Sequence, residues 1–254
     1  LYTHRALRRD VQADFPGFGD LAPGGLGDHL CRLGPLTHGG SGTGFSTWLG
    51  AHFQPGELKP RLGGTPGPAE PAAELAGLGI GPEDPYLLLA PCATWASKEW
   101  PPTRWAELIL LLLERTGLSL AIMVAPGKEE KWGSLAREIP EGRGGVLPAM
   151  PLPKALRLTA GAKALVTVDG GIMHAAVGLD VPTLAIFGPT DPSIWFPYAE
   201  TGPFRVLARA PHCHPCDLHE CPAFICLPEL APAAVWQSLA ALLDDGKRHE
   251  GVTR

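Results

Sequence analysis

The stretch Val166-Thr167-Val168-Asp169-Gly170-Gly171-Ile172-Met173-His174-Ala175-Ala176 decides the fold. Val166 and Val168 belong to an apolar run of strand length, Gly170 and Gly171 are expected to let the backbone turn tightly and approach a ligand, and Met173, Ala176 and Val177 begin an apolar helical face. A strand that ends in an acid, turns through glycine and enters a helix is how a parallel α/β sheet makes an anion site. The free N–H groups of the first helical turn face outward at the carboxyl ends of the strands, where the helix dipole favours phosphate. His174 falls in that turn. The plainer alternative is that Asp169 caps the helix and His174 packs on a neighbour.

Working outward, the pattern repeats. Apolar runs of strand length are expected at 86–90, 118–124, 146–147, 164–169 and 183–187, and helices at 102–114, 128–139, 152–159 and 171–179. Strands that are apolar on both faces and alternate with helices predict a parallel sheet with right-handed crossovers, covered on both sides. The fold class is therefore α/β, with a Rossmann-like sheet. A closing helix is expected over 228–243, ended by Asp244-Asp245-Gly246, with a disordered remainder.

Gly and Pro make up about a third of residues 1–85 and about a fifth of the rest, which marks a domain boundary near Asp84. Residues 1–84 are expected to form a partial domain with one helix over 69–78, and residues 85–254 a ligand-binding domain. A further segment upstream of Leu1 is expected. A net charge of -5 with 19% charged residues gives no broad basic surface and argues against nucleic acid as a partner, so an anionic ligand has to be met locally. The apolar run 108–113, bounded by Glu107 and Glu114, is too short to span a bilayer, which takes about 20 residues.

The expected strand ends collect Thr94, Ser97 and Lys98 after the first strand, Gly127, Glu129 and Glu130 after the second, and Asp169 to His174 after the fourth. An ammonium group, a glycine turn at a helix start and two hydroxyls can hold a diphosphate without a metal, and a neighbouring carboxylate suits ribose hydroxyls. Each has a bland reading: Lys98 as a solvated lysine beside Glu99, and Glu129 and Glu130 as acids complementing a helix first turn.

Taken in order, Pro91-Cys92-Ala93-Thr94 with Lys98-Glu99-Trp100-Pro101 and Trp105, then Asp169-Gly170-Gly171-Ile172-Met173-His174, then Phe187-Gly188-Pro189-Thr190-Asp191-Pro192, resemble glycosyltransferase family 9 over roughly residues 84–243. That family contains the ADP-heptose:lipopolysaccharide heptosyltransferases. The resemblance implies a GT-B enzyme whose carboxyl-terminal domain binds an ADP-sugar and whose amino-terminal domain presents a glycolipid or glycan acceptor and the base. It implies transfer with inversion, no cofactor for catalysis, and a cytoplasmic protein, peripheral on the inner membrane. Carried over by motif, Lys98 neutralises the leaving diphosphate, Asp169, Gly170, Gly171 and His174 line the phosphate and sugar side, and Thr94 and Ser97 donate hydrogen bonds. Glu129, and less directly Glu130, receives the ribose. Family members often carry threonine where Gly170 stands, so a hydroxyl is lost there. The expected base is an acid in a glycine-aspartate turn. The similar element here is Gly25-Leu26-Gly27-Asp28, with no apolar strand before it, so Asp28 is either that base or a turn residue with the base further upstream.

Cys213-x2-Cys216-x4-Cys221-x4-Cys226, with His212, His214 and His219 interleaved, can fold around one tetrahedral Zn²⁺ or iron ion, although a second tight Cys-x2-Cys pair is missing; reduced thiols or disulfides are the alternatives. Related cysteine-rich tails occur in the family, one branch with a metal-bound finger. Two other functions compete: a non-catalytic nucleotide-sugar binding module, since fold does not guarantee chemistry, and a nicotinamide-dependent oxidoreductase, which lacks its glycine-rich turn here.

Overall fold

The computed structural model describes residues 73–199 and 201–250, with side chains through residue 244. Asp28 and the first four residues of the expected 69–78 helix lie outside the described residues; of the remainder, 73–76 are helical. In chain order the elements are α1 (Ala73–Ala76), β1 (Tyr86–Ala90), α2 (Pro102–Arg115), β2 (Ser119–Ile122), α3 (Glu129–Trp132), β3 (Gly144–Val146) and α4 (Leu152–Gly161). They continue as β4 (Ala164–Val168), α5 (Gly171–Gly178), β5 (Thr183–Phe187), α6 (Pro192–Trp195), β6 (Phe204–Ala208) and α7 (Pro232–Glu250).

The strands form one sheet in the order β3-β2-β1-β4-β5-β6, every pair parallel. Period-2 geometry divides β1 between two cores: Leu87 and Leu89 face α2 and α7, with Trp105, Leu108, Ile109, Leu112, Val235 and Leu239, while Leu88 and Ala90 face Leu158, Leu165 and Ala176. Burial on both faces explains why these strands read as continuous apolar runs. Because β1 pairs with β2 on one side and β4 on the other, the chain changes winding direction between β1 and β4, and the crevice outside their carboxyl ends is where such sheets hold ligands.

Several expected elements differ. The 128–139 helix is one α-turn, α3, followed by a 3-10 helix, Gly133–Glu138, since Gly133 and Ser134 are poor helix formers at its middle. Strand β6 has no counterpart among the expected strands: only Phe204 is fully buried and the rest is half-exposed, so no apolar run marks it. Helix α7 runs through Asp244-Asp245-Gly246 to Glu250 instead of stopping there, one interior glycine costing only about 1 kcal/mol against alanine. Edge strand β3 depends on Gly144, at φ +125, where a Cβ would stand 1.9 Å from the Leu120 carbonyl oxygen.

Candidate anion-binding site

The carboxyl ends of β1, β2 and β4 open onto a cavity of about 940 Å³. Its lining includes the polar and glycine positions Thr94, Lys98, Asp169, Gly170, Gly171 and His174, the apolar side chains Met123, Val124, Met150, Leu152 and Ile172, and the rings of Trp95, Trp195 and His219.

Lys98 is buried, and its Nζ lies 2.6 Å from Asp169 Oδ2. Asp169 Oδ2 also accepts the Thr190 hydroxyl at 2.7 Å. Thus Lys98 is not a solvated partner of Glu99, and Asp169 is not a helix cap. The N-cap of α5 is Gly170, with no side-chain cap bond, so the acid is left to fix the ammonium. The ammonium stands 4.1 Å from the centroid of Trp95 and 5.4 Å from that of Trp195, so the cation is lodged among ring faces.

Gly170 has φ -167, extended backbone that any residue adopts, so the tight turn expected of it is not what glycine provides. A Cβ there would meet the Cys92 carbonyl oxygen at 3.6 Å and the Val168 carbonyl oxygen at 3.8 Å, both ordinary contact, so neither the backbone angle nor the space at the Cβ demands glycine. His174 is buried in α5 with Nδ1 3.3 Å from the Tyr198 hydroxyl, and the two rings meet edge to face. Burial pushes the Tyr198 phenol well above its ordinary value, so it keeps the proton it can donate to Nδ1.

Thr94 is exposed on the cavity lining. Ser97 is buried, and its hydroxyl donates to the Leu218 carbonyl at 2.5 Å, so its single proton goes to the cysteine-rich segment rather than toward the cavity. Glu129 and Glu130 are exposed on the first turn of α3 and do not line the cavity; their neighbour Lys128 does. Sequence reasoning missed Glu99, which is buried and accepts from Lys128 at 2.7 Å, Lys131 at 2.5 Å and the Ala93 N–H at 3.2 Å. Burial alone would raise the Glu99 carboxyl; the two ammonium groups and the amide outweigh it and hold it below its ordinary value. Thr190 belongs to a sequence motif that gives it no role of its own; only the folded chain brings it to Asp169.

Residues 209–231 contain no helix or strand, yet they are stapled to the site. The Ser97 N–H donates to the His219 carbonyl, the His219 ring stacks on Trp95 at 3.8 Å, and Trp100 Nε1 donates to the Leu227 carbonyl at 3.0 Å. Gly188 lets this segment close: a Cβ there would meet Leu227 Cδ1 at 2.8 Å and the Ser97 carbonyl oxygen at 2.9 Å. Cys213, Cys216, Cys221 and Cys226 are free thiols bordering one void of about 10 Å³ with His214. Among the described residues no group of three or more His, Cys, Asp or Glu stands in metal-holding geometry.

A parallel sheet of this order, with a lysine and a helix amino terminus at its switch point, defines a Rossmann-like α/β domain of the kind found in GT-B enzymes. Residues 52–223 match the family model described as glycosyltransferase family 9 (heptosyltransferase), and the chain belongs to that family. Lipopolysaccharide heptosyltransferase 1 of Pseudomonas aeruginosa is 38% identical over 127 residues, covering 47% of this chain and 33% of the relative. Its namesake in Escherichia coli is 36% identical over 129 residues, covering 50% and 38%. The structure described as E. coli heptosyltransferase WaaC with ADP has a TM-score of 0.51 at 32% identity, covering 63% of this chain and 44% of that one. That of E. coli ADP-heptose lps heptosyltransferase II has a TM-score of 0.59 at 24% identity, covering 74% and 54%, and shares the fold. The match therefore spans a third to two-fifths of these curated relatives. Among the described residues no helix is long and apolar enough to cross a membrane.

Proposed function

We propose that this chain carries the donor-binding half of an inverting glycosyltransferase that moves a sugar, most simply a heptose, from an ADP-sugar to a bacterial surface glycan such as the lipopolysaccharide core. The observation that carries the reading is the buried Lys98–Asp169 pair beside the amino terminus of α5, at the switch point of the sheet. Similarity to lipopolysaccharide heptosyltransferases, and to a structure described as holding ADP, supports the choice of donor.

In such a transfer the anomeric carbon gains oxocarbenium character as ADP departs, so charge grows on the leaving phosphate. Preorganised positive potential at that phosphate is the main stabilisation of the transition state that this half can supply. Lys98 offers an ammonium whose position is set by Asp169, and the first turn of α5 offers backbone N–H groups and a dipole. The apolar lining side chains Met123, Met150 and Leu152 suit a nucleobase. Residues 1–84 are assigned to the acceptor side, with Asp28 as the candidate base that the resemblance points to. A glycolipid acceptor would bring the protein to the cytoplasmic face of the inner membrane as a peripheral protein. ADP release from ADP-heptose in the presence of deacylated core glycan tests the assignment on the natural full-length protein. Release is expected, and a fall of at least a hundredfold in Lys98→Met, on the scale of one lost transition-state charge contact. No release from the full-length protein with any ADP-sugar would leave only a binding module.

The proposal extends to Cys213, Cys216, Cys221 and Cys226 as ligands of one structural Zn²⁺ or iron ion. Their support is a shared void, thiolate chemistry, and a Phe224 N–H that donates to Cys221 Sγ at 3.2 Å. The ion would brace the segment that holds Ser97 and Trp95, with no part in transfer. Metal analysis of protein purified without a histidine tag should return close to one equivalent per chain, and less than half an equivalent removes the idea.

A further inference from the structure

Lys128 enters the cavity from the β2 side, while Asp169, Gly170 and Gly171 enter it from the β4 side, with β1 between them. Its Nζ donates to the Ala93 carbonyl at 3.0 Å and to Glu99 Oε1 at 2.7 Å. An ammonium has three N–H groups, so one remains to be delivered, and the side chain is 35% exposed, on the cavity lining. A surface lysine normally samples many rotamers and gives up that freedom when it binds. Here Glu99, with its side chain 2% exposed, has already fixed it, and Glu99 is itself fixed by Lys131 and the Ala93 N–H. One carboxylate shared by two ammonium groups leaves a net positive charge, so the free N–H is not neutralised by its own support.

We infer that Lys128 is a specificity-determining donor to a ribose hydroxyl of the nucleotide, with Glu99 as the residue that positions it. The inference rests on the donor-site reading above. With the diphosphate at Lys98 and the amino terminus of α5, and the base against Met123 and Met150, the sugar of the nucleoside falls between them, on the Lys128 side. The ribose contact expected of Glu129 passes to its neighbour, an acceptor being replaced by a charged donor. A ribonucleoside diphosphate is thereby told from its deoxy counterpart.

The test compares ADP with 2′-deoxy-ADP and 3′-deoxy-ADP by calorimetry, on the unaltered chain, Lys128→Met and Lys131→Met. Lys131 shares Glu99 but does not line the cavity, so Lys131→Met separates the effect of loosening Glu99 from the loss of the Lys128 ammonium itself. The unaltered chain should bind one deoxy analogue about tenfold more weakly than ADP, the scale of a hydrogen bond to a charged group. Lys128→Met should bind ADP about tenfold more weakly and no longer distinguish that analogue, whereas Lys131→Met, which loosens Glu99 but keeps the Lys128 ammonium, should lose less affinity and retain a reduced distinction. Unchanged ADP affinity in Lys128→Met, or an equal loss for ADP and both analogues, overturns the ribose assignment alone. Absence of ADP binding by the unaltered chain overturns the donor-site reading and this inference with it.

Discussion

Lys98 and Asp169 face each other across 2.6 Å with almost no solvent at either, and the Thr190 hydroxyl donates a further bond to the carboxylate. Burying either charge alone is costly, and removing one member of such a pair costs about 3–5 kcal/mol because the other is stranded. Lys98→Met should therefore lower unfolding free energy by about that much in urea, and the added change Asp169→Asn should return part of it, since the pair then disappears together. Equal, additive losses would mean that the two groups do not interact. The pairing was hidden by sequence adjacency. Lys98 and Glu99 stand side by side in the chain and invite each other as partners, yet each turns to a residue about 30 or 70 positions away, Lys98 to Asp169 and Glu99 to Lys128 and Lys131. No local pattern encodes such choices.

Glu99 joins the loop after β1 to α3, so it ties two rim loops of the sheet together. Its folded carboxyl titrates below the unfolded value: although burial works the other way, the Lys128 and Lys131 ammonium groups and the Ala93 N–H prevail. A depressed acid contributes stability that is fully present above its unfolded pKa, about 4.3, and lost as pH falls through the folded one. The melting temperature should accordingly drop more steeply below about pH 4.5 in the unaltered chain than in Glu99→Gln, with the two curves running parallel above that range. Identical acid limbs would show that the clamp contributes nothing. Elements were legible where burial wrote them into the sequence: β1, β4 and β5 are buried along their whole length, and α2 buries Trp105, Leu108, Ile109 and Leu112 at helical spacing. They were not legible where context decided, as in half-exposed β6 or the 3-10 continuation of α3 past Gly133.

At the scale of the molecule, the strand order brings the ends of β1 and β4 together although 73 residues lie between Ala90 and Ala164, and this places Lys98 against Asp169. The sequence pattern carried the alternation of strand and helix and the rim on which the site residues fall. It did not carry which rim residues face inward: Ser97 turns to Leu218, Glu129 and Glu130 turn to solvent, and Lys128 takes the cavity. Those outcomes depend on how residues 209–231 and α3 pack, which follows from tertiary closure rather than from spacing. The central claim is that this rim grips a pyrophosphate through Lys98 and the amino terminus of α5. Calorimetric titration of the chain with ADP, without divalent cations, tests it most directly: saturable binding to a single site is expected, weakened at least tenfold in Lys98→Met, on the scale of a lost charged hydrogen bond. No heat of binding at millimolar ADP, or equal affinity in the two proteins, would contradict it.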